Sequence, residues 1–140
     1  MNLKIEDQCV SLELAKMLKE LNVKQESLFC WINDYDIEFL ETIERNQGVC
    51  IAAFTVAELC DLLPAYIQVK EREPFNNFYL KIIKRSSKNI QYIINYECDS
   101  MMDSFPMFPL LMQNNTYDEK LSNALAKTLI NLIEKGLYKV

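Results

Sequence analysis

Two glycines, Gly48 and Gly136, serve the whole 140-residue chain, and that scarcity constrains its architecture more than any other feature. Glycine enters left-handed backbone without strain and lets a phosphate approach the main chain closely. A chain with so few must make its turns on Asn, Asp, Ser and Pro. With the two glycines 88 positions apart, neither a P-loop nor a GxGxxG dinucleotide fingerprint can be written into it. Histidine is absent altogether. That removes Ser-His-Asp and Cys-His nucleophiles, the HExxH zinc site and imidazole acid–base work.

The length is that of one ordinary domain, and we expect residues 1–140 to form a single one. Half the residues are hydrophobic and a quarter charged, the balance of a globular protein with a large core. The opening stretch MNLKIEDQCVSLEL scatters its charges and lacks the apolar run of a secretion signal, and no segment reaches membrane-spanning length. A cytoplasmic protein is the expectation. Cys9, Cys30, Cys50, Cys60 and Cys98 are odd in number and 21, 20, 10 and 38 residues apart, with no CxxC pair. Such spacing suits buried thiols rather than a zinc site.

Hydrophobic periodicity outlines the elements. Ser11 to Leu21 reads as a helix with Ser11 as its cap, an inward stripe of Leu14, Ala15, Leu18 and Leu21, and Asn22 as its left-handed stop. Ser27 to Ile32 is apolar on both faces, as an interior strand would be. Ile37 to Arg45 fits either strand or helix. Val49 to Phe54 reads as a short strand, and Thr55-x-x-Glu58 is a capping box opening a helix that Pro64 closes. Tyr66 to Lys70 reads as a short strand. Phe78 to Lys84 and Ile90 to Glu97 read as an antiparallel hairpin. A second box, Thr116-x-x-Glu119, predicts a helix from Thr116 to Lys135 with Gly136 as its stop. The expected fold is α+β: one antiparallel sheet of three to five strands with about three helices packed mainly on one face.

Two stretches stand out as surfaces. From Met101 to Met112, the apolar residues Met101, Met102, Phe105, Phe108 and Met112 are interrupted by Pro106 and Pro109, which bars a regular helix or interior strand. This loop either completes the core beneath the last helix or offers a soft surface for a protein partner or a second copy. The second stretch is the hairpin. The chain carries a net charge of −5, yet between Pro74 and Tyr96 its only charged residues are Lys81, Lys84, Arg85 and Lys88. These could touch phosphates, with Tyr79 and Tyr92 to stack bases; the acidity of the whole chain favours instead a solvated turn whose lysines blunt an edge strand. Among enzyme layouts, Asp61 with Gln68 and Lys70 comes nearest to a metal nuclease, but Gln stands where a second acid is needed. Catalysis, a metal and a cofactor are therefore not expected.

Three blocks, SLELAKMLKELNVKQESLFCWIND (Ser11 to Asp34), IAAFTVAELCDLLP (Ile51 to Pro64) and LSNALAKTLINLIEKGL (Leu121 to Leu137), resemble in order and spacing a small uncharacterised protein family of phages and prophages of gut bacteria. The resemblance carries no catalytic motif. It implies a phage or mobile-element accessory factor acting in the host cytoplasm; the Met101 to Met112 loop and the missing catalytic residues add the expectation that it acts through protein contacts, as a homodimer or with another protein. The alternatives are a nucleic-acid-associated replication or regulatory factor using the basic hairpin, and an acidic inhibitor of a host defence protein.

Overall fold

Alternating and helical stretches of the sequence settle into four helices and seven strands among the residues that the computed structural model describes, 4–34, 37–42, 50–68, 77–86, 89–98 and 116–139. In chain order these are α1 (Ile5–Gln8), α2 (Leu12–Glu20), β1 (Phe29–Asp34), β2 (Ile37–Thr42), β3 (Ile51–Ala52), α3 (Val56–Leu62), β4 (Tyr66–Gln68), β5 (Asn77–Ser86), β6 (Ile90–Cys98), β7 (Thr116–Asp118) and α4 (Leu121–Glu134). The fold is α+β and its strand pairs are antiparallel.

The strands form two sheets rather than the single one expected, in the orders β2-β1-β3 and β4-β5-β6-β7. A strand has only two edges. Those of β1 are taken by β2 and β3, whereas β4 and β7 cover only part of the two sides of the β5–β6 hairpin. β1 is thus interior, as its two apolar faces predict. The ambiguous segment after it resolves as β2, which pairs along its whole length from Asp34 opposite Ile37 to Phe29 opposite Thr42.

Both helix stops follow from local chemistry. Asn22 stands at φ 61°, its N–H donating to Lys19 O at 3.0 Å while Val23 N–H reaches Leu18 O at 3.0 Å. Gly136 repeats the motif at φ 66°, with Gly136 N–H on Ile133 O at 3.0 Å and Leu137 N–H on Leu132 O at 2.9 Å. In each case the left-handed residue and the one after it together satisfy two terminal carbonyls. At the start of α3 the Thr55–Glu58 box closes in both directions. Phe54 before it and Leu59 within it are both fully buried, as a hydrophobic staple requires. Ser11 does occupy the N-cap of α2, but its side chain makes no capping bond.

Thr116 corrects the reading of the last helix. It lies in β7, paired opposite Ile94, and α4 begins five residues later at Leu121. Its hydroxyl is buried, donating to Ala124 O at 3.1 Å and bonding the Thr128 hydroxyl, so it is not available to cap anything. The helix N-cap is Lys120, which makes no side-chain capping bond; just ahead of it Asp118 Oδ1 accepts from Lys120 N–H at 2.8 Å.

One core joins the helices to the inner face of the four-stranded sheet: Leu18, Phe54, Leu59, Ile94, Leu125 and Leu129 are all under 2% exposed. α4 packs on β6 and β7 and also meets α3 and α2. The N-terminal segment is drawn into the same core. Cys9 and Val10 are fully buried, Val10 N–H donates to Phe54 O at 2.9 Å, and Val10 O accepts from the Trp31 indole at 3.0 Å. α4 holds the segment from the other side, through Ser122 Oγ on Cys9 O at 2.9 Å and Asn123 Oδ1 on Ser11 N–H at 2.9 Å. Burial chiefly pushes the Cys9 thiol up to about 11, so it remains protonated and inert. Cys30 is buried as well, whereas Cys50 and Cys60 are half-buried.

Candidate functional site

Strand pleating gives the β4-β5-β6-β7 sheet two faces, which differ most around β4 and the first half of β5; towards β6 the outer face buries Ile93 and Asn95 as well. On the inner face Ile67, Phe78, Ile94 and Tyr96 are buried. Tyr96 there is 5% exposed and its hydroxyl donates to Pro64 O at 2.6 Å; burial, with a smaller contribution from Tyr138, pushes its ionisation up. On the outer face three other tyrosines meet solvent: Tyr66 is 52% exposed, Tyr79 46% and Tyr117 46%. Register puts them there together, because Tyr66 pairs opposite Tyr79 and Tyr117 opposite Ile93. The Tyr66 and Tyr79 rings lie 6.1 Å apart between centroids and 46° tilted, a favourable edge-inclined aromatic pair.

Beside the tyrosines lies a short polar network. Lys81 Nζ contacts Glu97 Oε2 at 2.6 Å, and Glu97 Oε1 accepts from Asn95 Nδ2 at 3.3 Å. Asn95 itself is 5% exposed, and its Oδ1 has no hydrogen-bond partner among the described residues. Gln68 Nε2 donates to Asn77 Oδ1 at 3.0 Å along the same face. The surface that results is amphipathic: aromatic area with hydroxyl tips, amides and one ion pair.

The phosphate-contact candidates do not form one track. Lys81 and Arg85 share the outer face, while Lys84 points to the inner one, across from Tyr92, with its Nζ 5.8 Å from that ring's centroid. Lys81 already has Glu97 as its counter-ion, and Lys88 lies outside the described residues. Tyr79 and Tyr92, expected to act together, also stand on opposite faces. The apolar stretch Met101 to Met112, with Met101, Met102, Phe105, Phe108 and Met112, lies outside the described residues.

Of the nuclease-like trio, Asp61 is exposed on α3, Gln68 is engaged with Asn77, and Lys70 is outside the described residues. Among the described residues no three Cys, Asp or Glu side chains gather as metal ligands, and no helix is long and apolar enough to cross a membrane. The tyrosine face escaped the sequence reading because Tyr66, Tyr79 and Tyr117 come from three separate strands. The signal within reach was the position of each tyrosine beside a buried neighbour: Ile67 after Tyr66, Phe78 before Tyr79, Thr116 before Tyr117. Comparison of the chain with family models, curated proteins and solved structures gave no match in any of the three.

Proposed function

We propose that this chain is a non-enzymatic binding protein, a phage or mobile-element accessory factor of the bacterial cytoplasm as its sequence blocks imply, and that it works by contact with another protein molecule. The observation that carries the reading is the outer sheet face, where Tyr66, Tyr79 and Tyr117 are each about half exposed although their chain neighbours on the opposite face, Ile67, Phe78 and Thr116, are buried. Tyrosine presents large, rigid, amphipathic area at low entropic cost, and it is enriched at protein interfaces for that reason. The polar rim of Lys81, Glu97, Gln68 and Asn77 completes the anatomy of an interface.

Light scattering over a range of concentrations separates the two forms of the proposal. A homodimer gives a mass twice the 16.4 kDa of one chain, and the paired change Tyr66→Ser with Tyr79→Ser restores the single mass. A monomer that binds a different protein keeps the single mass but loses that partner, captured from host lysate, in the same variant. If the variant folds normally and alters neither, the proposal fails.

Single-strand nucleic-acid binding is the second reading, favoured by Tyr79, Lys81 and Arg85 sharing the outer face. The net charge of −5 and the Lys81–Glu97 pair oppose it. It requires oligonucleotide binding that weakens with salt and with Lys81→Ala plus Arg85→Ala. No binding at low salt would eliminate it.

A further inference from the structure

Among the described residues, the longest strand of the four-stranded sheet is only half covered on one edge. β4 pairs with β5 at Asn77, Phe78 and Tyr79, and the last bond across that edge is Leu80 N–H to Ala65 O at 3.0 Å. Beyond Leu80, from Lys81 to Ser86, β5 has β6 on one side and no described strand on the other. In an antiparallel ladder successive residues send their N–H and C=O groups to opposite sides. Since Leu80 points toward β4, Ile82, Lys84 and Ser86 point the same way, while Lys81, Ile83 and Arg85 bond to β6. Ile82, Lys84 and Ser86 are all exposed, and Ile82, at 43%, is a β-branched apolar side chain set among cations.

We propose that this edge of β5 is a strand-addition site, which takes an extended, acidic segment of a partner protein alongside Ile82–Ser86. Charge selects the occupant. Lys84 and Arg85 line the segment, Lys81 beside it is paired with Glu97, and β5 contains no acidic residue. A second copy added antiparallel would bring Lys84 and Arg85 close to their own equivalents, and like charges facing across strands are destabilising. Cations on an open edge therefore exclude self-pairing. The same cations attract a strand carrying carboxylates at matching positions, while the ladder bonds supply sequence-independent affinity and Ile82 offers one apolar contact. The site is separate from the tyrosine face, so each stands or falls alone.

Hydrogen exchange of the isotope-labelled full chain, followed residue by residue, tests the proposal with two synthetic eight-residue peptides, one alternating Glu with Val and the other Lys with Val. With the acidic peptide, exchange at the amides of Ile82 and Lys84 slows by about tenfold or more, while Ile83 and Arg85, already bonded to β6, change little. The basic peptide leaves all of them unchanged. Lys84→Pro removes an edge donor without a β6 bond and abolishes the protection; Lys84→Glu with Arg85→Glu, which keeps every backbone donor, reverses the preference between peptides. Three results would overturn the proposal: no slowing by the acidic peptide, equal slowing by both, or protection that rises with protein concentration alone, which would mean that a second copy occupies the edge. Tyr66→Ser with Tyr79→Ser leaves the peptide response intact.

Discussion

Glu58 Oε1 accepts a 2.8 Å hydrogen bond from Leu28 N–H, so the carboxylate that caps α3 also fastens the entry of β1 thirty residues earlier. Its other oxygen, Oε2, accepts from Thr55 N–H at 2.7 Å, Thr55 Oγ1 at 2.8 Å and Ser27 Oγ at 3.0 Å. One side chain thereby connects the helix to the three-stranded sheet.

Glu58→Ala is expected to destabilise the protein by about 2–3 kcal/mol, more than an isolated cap of about 1 kcal/mol, because backbone and hydroxyl donors on two elements lose a charged acceptor together. The acid dependence has a defined sign. Burial raises the Glu58 carboxyl, but its hydrogen bonds from Thr55, Leu28 and Ser27 outweigh that, and the net shift is downward. A carboxyl lowered in the folded state contributes stability that is fully present above its unfolded value and is lost as pH falls through the folded one. Glu58→Gln should accordingly flatten the loss of stability below about pH 4.5, read from denaturant midpoints taken between pH 3 and 6.

The two helix stops form a matched pair for testing backbone strain. A Cβ added at Gly136 would meet nothing within 4 Å, so Gly136→Ala isolates the cost of the left-handed conformation at φ 66°. We expect a loss of about 1 kcal/mol. Asn22→Gly should move the other way, a gain of up to about 1 kcal/mol, since asparagine tolerates φ 61° less well than glycine. Thermal unfolding of both variants checks the opposed signs.

Thr116 and Thr128 share a buried arrangement in which both hydroxyls reach Ala124 O, at 3.1 and 2.9 Å, and bond to each other. Replacing either by Val strips the other of a partner inside the core. The single variants should each cost about 1–2 kcal/mol, and the double variant less than their sum, with a coupling of about 1 kcal/mol in a double-mutant cycle. Additive costs would show that the hydroxyls act independently.

Asn95 runs against both strand propensity and burial. It is 5% exposed on a central strand, its amide group reaches only Glu97, and its Oδ1 has no partner among the described residues. Asn95→Val is expected to stabilise the fold by about 1 kcal/mol, because a β-branched apolar side chain replaces a desolvated carbonyl oxygen. If function draws on the adjacent Lys81–Glu97 pair, the gain comes with weaker partner binding, so stability and binding should be measured on the same preparation.

The sequence alone determined what depends on a few neighbouring residues or on a simple period. Asn22 and Gly136 end their helices where their backbone tolerance predicts, Thr55 and Glu58 cap α3 reciprocally, and the hairpin alternates as its side chains require. Such features are set within one turn or one ladder rung. The tertiary structure decided what depends on distant partners. Thr116-x-x-Glu119 has the form of a cap, yet Thr116 is taken into β7 because Ile94 pairs with it and Thr128 meets it inside the core. Cys9 and Val10 are enclosed by contacts with Ser122 and Phe54, far along the chain. Alternation likewise shows that a sheet has two faces without showing which one the helices cover. That choice came from the packing of α4 against β6 and β7, which leaves Tyr66 and Tyr79 facing solvent while Tyr96 is buried.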